Sequence, residues 1–160
     1  MYINTLVQLM VSLLEKNGEC SVARLRMLVF VCDWVALTLS KRRLTDLVWH
    51  SGTGGPYSPV MDETIEQYSK YFALKEIVYA GTPRRVIGVN PTAAAFNFPR
   101  DPLSEEVAEI VVRLTKDLDP AEFMRNVNGL YPVQTTPKYA QIDLEEKFRE
   151  YQSVREGKSP

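Results

Sequence analysis

The chain has 160 residues, of which 45% are hydrophobic and 24% charged, a composition that fits one globular domain and excludes a disordered or collagen-like chain. Its 19 basic and 20 acidic side chains give a net charge of -1, which excludes a basic coat of the kind that binds nucleic acid. The longest apolar run covers residues 27–32, whereas a membrane span needs about 20 residues. The first residues also lack the pattern of a signal peptide, so we expect a cytoplasmic protein without a membrane partner.

The first forty residues predict two helices. Apolar side chains recur at helical spacing over about residues 2–16, and Gly18 is suited to end that helix. Ser21 is suited to cap a second helix over about residues 21–40. Because this second helix is apolar on nearly all sides, it is predicted to be the central buried helix of the domain.

The middle of the chain predicts a loop, a helix and a hairpin. The glycine-rich residues 51–57 indicate a loop, and Ser58 followed by Pro59 indicates the start of a helix over residues 58–72. Two runs rich in β-branched residues then flank the turn signal at residues 81–84 and predict a β-hairpin. A helix followed by a hairpin is the order found in a winged-helix unit.

The last third is predicted to be helical and acidic. Residues 101–160 hold twelve of the twenty acidic side chains. Ser104 is predicted to start a helix, and Asp119 and Asp143 each begin a capping box. The inward-facing residues of the first of these helices are predicted to be Val107, Ile110, Val111, Leu114 and Leu118.

These elements together predict an α+β, mainly helical fold, a bundle-like domain with one small β-hairpin. We expect a single domain over residues 1–152 with a subdomain joint near residues 98–102, where two prolines flank Arg100 and Asp101. Residues 153–160 are expected to form a flexible tail.

No pattern in the sequence points to catalysis or to a bound cofactor. Cys20, Cys32 and His50 are too few and too scattered for a zinc site, and Cys32 lies in the most apolar stretch, where a thiol is inert. The glycine-rich loop lacks the lysine of a phosphate-binding loop, and Pro56 lacks an N–H donor. We therefore predict no catalytic residues, no cofactor and no metal, and an enzyme without a recognisable site is the third-ranked reading.

Asp33 and Trp34 are unusual because they follow the apolar run inside a helix that should be buried. One interpretation is a packed Trp34 beside an Asp33 satisfied by a local donor. In the other, Asp33 holds the segment from Trp49 to Tyr57 in place.

Two basic clusters raise the possibility of nucleic-acid contacts. Arg84 and Arg85 are expected at or near the tip of the hairpin, where a wing touches phosphates. A second cluster is formed by Lys41, Arg42 and Arg43. The helix that would enter the major groove carries three carboxylates within residues 60–67, which phosphates repel. We therefore expect nucleic-acid binding to be absent or weak and non-specific.

The order of several short motifs resembles the Panacea domain, a family of antitoxin domains related to the SocA-like antitoxins. The matching pieces are an apolar helix that ends in Asp33 and Trp34, a segment with Leu44 and Thr45, then Trp49. They continue with Gly55, Pro56 and Tyr57, and end with Ile142, Asp143 and Leu144. The chain departs from the family pattern at Asp46, where a glycine is usual, and at Tyr57, where a valine is usual.

This resemblance implies a binding protein rather than a catalyst. Panacea-like proteins neutralise varied toxins by direct contact and occur in two-gene operons and in prophages. The SocA-like members further imply proteolytic adaptors that deliver a bound toxin to a protease. The expected partners are therefore a cognate protein toxin and a protease, and the alternative is a winged-helix transcriptional regulator.

Overall fold

The computed structural model describes residues 4–92 and 100–157, which form an α+β, mainly helical fold as predicted. Its helices are α1 Thr5–Asn17, α2 Val22–Ser40, α3 Pro59–Gln67, α4 Pro102–Thr115, α5 Pro120–Asn128, α6 Tyr131–Gln134 and α7 Leu144–Arg155. Its strands are β1 Cys20–Ser21, β2 Trp49–Gly52, β3 Gly55–Tyr57, β4 Phe72–Tyr79, β5 Thr82–Val89 and β6 Gln141–Ile142.

Helix α2 is the central buried helix, as the sequence predicts. The Ser21 Oγ accepts a hydrogen bond from the Arg24 N–H at 3.0 Å and caps its start. Leu25, Leu28 and Phe30 are fully buried, and α2 packs against α1, α4 and α7. Helix α1 ends at Gly18, whose φ of 86° is cheap for glycine alone.

Helix α4 begins earlier than expected and buries a different face. Asp101 rather than Ser104 caps it, since the Asp101 carboxylate accepts the Ser104 N–H at 3.0 Å. Leu114 is 68% exposed, so its predicted inward orientation is wrong. Ala108 and Val112 are buried instead of Leu114. The face of α4 that packs against α1 and α2 is therefore rotated from the predicted face toward Ala108 and Val112. The caps predicted at Asp119 and Asp143 are confirmed.

The predicted hairpin is present and longer than expected. Strands β4 and β5 pair antiparallel from Phe72↔Val89 to Tyr79↔Thr82, and β1 adds to the other side of β5 in the order β1-β5-β4. The helix predicted over residues 58–72 is wrong in its last third, because α3 ends at Gln67 and a 3₁₀ turn, Ser69–Tyr71, leads into β4. Phe72 is buried at the start of the strand.

A second small sheet replaces the loop predicted over residues 51–57. Strands β2 and β3 form a tight hairpin around Thr53 and Gly54, and β6 pairs with the other side of β2. Trp49 and Ser51 point into the protein, while the intervening His50 is half-buried. This sheet packs on α2 and α5 through β3.

The predicted joint at residues 98–102 falls partly outside the described residues, and Pro102 is the first residue of α4. Helix α7 continues to Arg155, into the segment predicted to be a tail. In the part of the chain that the structure describes, no helix is both long and apolar enough to cross a membrane.

Candidate functional site

The fully buried carboxylate of Asp33, on α2, is the hydrogen-bonding centre for the segment that joins α2 to β2. Oδ1 accepts the backbone N–H groups of Leu44 and Thr45 at 3.1 and 2.9 Å. Oδ2 accepts from the Thr45 hydroxyl at 2.6 Å, from Trp49 Nε1 at 3.1 Å and from Arg43 Nη2 at 3.3 Å. One side chain on a helix therefore fixes the path of residues 43–49.

The chemistry of these neighbours suits an ionised carboxylate. Burial raises the pKa of Asp33 above its usual value, while Arg43 and the hydrogen bonds from Thr45 and Trp49 act to lower it. Four of the five contacts come from N–H groups, which cannot accept, so a proton on Asp33 would find an acceptor only in the Thr45 hydroxyl. Asp33 thus holds the segment that includes Trp49, and the donors come from residues ten to sixteen positions away.

The two tryptophans near this centre pack against different elements. Trp34 is 6% exposed and meets the rings of Phe148 and Tyr151 edge-on, at centroid distances of 6.1 and 5.5 Å. Trp49 is fully buried and makes an edge-to-face contact with Phe30 at 5.1 Å. Trp34 therefore joins α2 to α7, and Trp49 joins the second sheet to α2.

The remaining motif residues surround the second sheet. Gly55 adopts φ 102° and lies buried beside two methionine sulfurs, and Pro56 is buried next to it. The ring of Tyr57 lies over Gly52, where a Cβ would come within 2.8 Å of it. Downstream, Ile142 pairs with Trp49 across β2 and β6, Asp143 caps α7, and Leu144 is fully buried. The motifs of the resemblance thus meet in one structural unit around Asp33.

The two basic clusters differ in solvent exposure and in ion pairing. Arg43 lies inward between Asp33 and Glu145, at 3.3 and 3.6 Å, with its side chain only 13% exposed. Lys41 and Arg42 are exposed. Arg84 and Arg85 lie on β5 opposite Ile77 and Glu76, near the tip of the hairpin but outside the turn itself, which consists of Ala80 and Gly81.

The most exposed apolar surface lies on β4, which carries none of the predicted motif residues. Leu74 and Ile77 are 37% and 40% exposed, and Val78 and Tyr79 are 75% and 63% exposed. Arg84 stacks on the Tyr79 ring with its guanidinium carbon 5.1 Å from the centroid. The available signal was the run from residue 77 to residue 79, whose apolar side chains occupy both faces of the strand instead of alternating with polar ones.

The cysteines are free thiols in apolar surroundings. Burial raises the pKa of Cys20 to about 11, against a smaller lowering effect of Arg24. Burial also raises the pKa of Cys32 well above its usual value, and the neighbouring Asp33 adds to the shift. Both thiols are therefore poor nucleophiles at neutral pH. Over residues 4–92 and 100–157 no three His, Cys, Asp or Glu side chains lie close enough to hold a metal ion.

Comparison with known proteins finds no matching family model, no matching curated protein and no matching solved structure. The resemblance to the Panacea domain therefore rests on the residues quoted for it, from Asp33 to Leu144.

Proposed function

We propose that this protein is an antitoxin-like binding module that neutralises a partner toxin by direct, stoichiometric contact. The observation that carries the proposal is the hairpin β4–β5, where four apolar side chains of β4 stay exposed along the outer strand of a sheet. An apolar patch beside unpaired strand backbone is a surface that another protein chain covers favourably.

The resemblance to the Panacea domain supports the same function. Its motif residues include Asp33, Thr45 and Trp49, which are joined by hydrogen bonds at 2.6 to 3.1 Å. These residues form a scaffold that fixes the segment between α2 and β2. A shared scaffold with a separate binding surface suits a family that neutralises varied toxins, and we extend the adaptor role of its SocA-like members to this chain.

Co-expression tests the proposal. The short reading frame next to this gene is expected to stop growth when expressed alone, and growth is expected to return when this protein is expressed with it. The two proteins are expected to co-purify in a fixed ratio. If an amount of this protein far below that of the toxin inactivates it by covalent modification, the proposal is wrong.

The topology favours one second candidate, a winged-helix regulator. Helix α3 precedes the hairpin β4–β5, and β1, between α1 and α2, completes a three-stranded sheet in the order β1-β5-β4. Arg26, Arg84 and Arg85 line a cavity of about 360 Å³ between α2 and the hairpin. Against DNA, α3 exposes Glu63 and Glu66 to solvent.

Salt dependence separates this candidate from the first. Each phosphate contact contributes about 0.9 to the slope of log affinity against log salt. Replacing both residues (Arg84→Ala with Arg85→Ala) is therefore expected to lower the slope by about two at most and to weaken all DNA sequences alike. Tight binding to one operator at physiological salt, with base contacts from α3, would instead establish a repressor.

A further inference from the structure

We propose that the outer edge of β4 is the docking site itself, and that an extended, acidic segment of the partner toxin adds to the sheet there as a fourth strand. This inference rests on the proposed function and names the surface and the chemistry that the partner must bring. Strand addition uses the backbone hydrogen bonds that an edge strand leaves open.

The register of the hairpin shows which backbone groups are open. Ala80 and Gly81 form a two-residue turn, with φ of 51° and 80°, and Tyr79↔Thr82 is the pair that closes it. Because hydrogen-bonded and non-hydrogen-bonded pairs alternate along an antiparallel ladder, the N–H and C=O groups of alternate β4 residues point away from β5. These are the groups of Leu74, Glu76 and Val78.

The other edge of the sheet is protected, whereas this edge is not. Strand β1 covers β5 at Val86 and Ile87. Pro83 lies opposite Val78 in a non-hydrogen-bonded pair, where the backbone N–H of β5 would point away from β4. Because proline has no N–H, β5 offers no donor to another strand at that position. In the described ranges no strand pairs with the outer side of β4, and its eight residues contain no proline. A strand edge with open backbone groups is a template for pairing with another chain.

The charges of the hairpin indicate an acidic partner segment. Residues 72–89 contain Lys75, Arg84 and Arg85 and one acidic residue, Glu76. Lys75 pairs with Glu19 at 2.8 Å and Arg85 lies opposite Glu76, so the positive charge offered to a partner comes mainly from Arg84. Ile77, Tyr79 and Arg84 share one face, since Ile77 is paired with Arg84. A strand that alternates acidic and apolar side chains would therefore place a carboxylate on this face, near Arg84, and its apolar groups on the opposite face, against Leu74 and Val78.

A second copy of this chain fits the edge less well. In a twofold antiparallel pair of β4 strands, one residue lies opposite its own copy. The two registers that overlap most place Lys75 against Lys75 or Glu76 against Glu76, because these residues occupy the middle of Phe72–Tyr79. Like charges directly opposite each other destabilise a strand pair.

A pair of substitutions at Val78 tests the backbone directly. Val78→Pro removes an outward N–H and leaves the ladder with β5 intact, while Val78→Thr keeps the N–H and the β-branched shape. We expect the proline variant to bind the toxin encoded by the adjacent reading frame at least about tenfold more weakly, and the threonine variant to bind it like the wild type. Thermal melting of the free variants shows whether each is folded.

A second pair of variants covers the case in which Val78→Pro fails to fold. Val78→Asp keeps the backbone donor but sets a charge against the apolar side chains of the added strand, and Leu114→Asp places the same charge on α4, at a side chain that is 68% exposed. Only Val78→Asp is expected to weaken binding. Hydrogen exchange on the wild-type complex is expected to slow at the amides of Leu74, Glu76 and Val78.

The outcomes separate the inference from the function on which it rests. If wild-type protein does not restore growth or co-purify with the toxin, the proposed function fails and this inference with it. If the wild type restores growth but the aspartate variants behave alike, or the three outward amides gain no protection in the complex, the docking site is wrong and the antitoxin function stands.

Discussion

At the residue scale, Asp33 has a structural role that no other side chain of α2 could fill. Its two oxygens accept from one guanidinium, two backbone N–H groups, a hydroxyl and an indole. An amide in its place would present two N–H donors to a group of donors, and a longer carboxylate would not fit a fully buried position. This cluster turns a loop without regular structure into a fixed link between α2 and the second sheet.

The first prediction concerns that carboxylate. Asp33→Asn is expected to lower the free energy of unfolding by about 3 kcal/mol, because it leaves the half-buried Arg43 without its main counter-ion and sets an amide against donors. Urea denaturation measures the change. Asp46→Asn, at an exposed position of the same segment, is the control and should shift the midpoint little. A wild-type midpoint in Asp33→Asn would show that the cluster does not stabilise the fold.

An acidic residue inside an apolar helix indicates this hydrogen-bonding centre in the sequence. The partners of Asp33, however, cannot be deduced from the sequence. A buried Asp must accept hydrogen bonds, so a link to Trp49 could be anticipated. The N–H groups of Leu44 and Thr45 carry no side-chain signature, since any residue could offer them. The inward turn of Arg43 was likewise hidden in a run of three basic residues.

At the scale of elements, a polar seam fastens α4 to α1. The Ser12 hydroxyl donates to Glu105, Lys16 Nζ lies 2.7 Å from the same carboxylate, and Arg100 joins Glu105 to Glu15 at 3.4 and 2.8 Å. Partial burial raises the pKa of Glu105, but the hydrogen bonds from Lys16 and Ser12 and the nearby Arg100 together lower it below its usual value. The seam therefore favours the ionised form of Glu105.

The second prediction follows from the sign of that shift. Because the pKa of Glu105 is lower in the folded than in the unfolded protein, its contribution to stability is complete above the usual glutamate pKa and is lost as the pH falls through the folded value. Glu105→Gln is expected to have a flatter loss of stability over this acidic range than the wild type. Urea midpoints measured across it give the comparison, with the exposed Glu106→Gln as the control. Parallel curves for the wild type and Glu105→Gln would contradict the role of the seam.

The elements that the sequence predicts well are those with local signals. Caps at Ser21, Asp119 and Asp143 and the glycine stop at Gly18 are local, and all four are present. Sheet β3-β2-β6 was missed because its strands are two to four residues long, the turn between β2 and β3 has the composition of a glycine-rich loop, and β6 lies far along the chain. Phe72 fits both a helical stripe and a strand start, and pairing with Val89 decides between them.

At the scale of the whole molecule, the protein divides into a packed body and a hairpin that projects from it. Phe72 and Ile87, at the base of the hairpin, are 4% and 0% exposed, whereas every residue from 73 to 85 is exposed. The body includes the Asp33 centre and both ends of the chain that the structure describes. Under the proposed function, stability and binding are thus expected to depend on different residues.

The third prediction concerns a variant that lacks only the projecting part of the hairpin. Replacing residues 76–85 with Asn-Gly makes Lys75 and Val86 the closing pair of a shorter hairpin, which lies in the same hydrogen-bonding phase as the natural closing pair Tyr79↔Thr82. Since β1 still pairs with Val86 and Ile87, the variant is expected to unfold cooperatively with a free energy within about 1 kcal/mol of the wild type. The same variant is expected to lose rescue and co-purification, because the edge that carries Glu76 and Val78 is gone. Circular dichroism on heating, run beside the co-expression test, measures both properties on one protein. A shortened variant that still restored growth would place the binding surface on the body, and one that failed to fold would show that the hairpin belongs to the core.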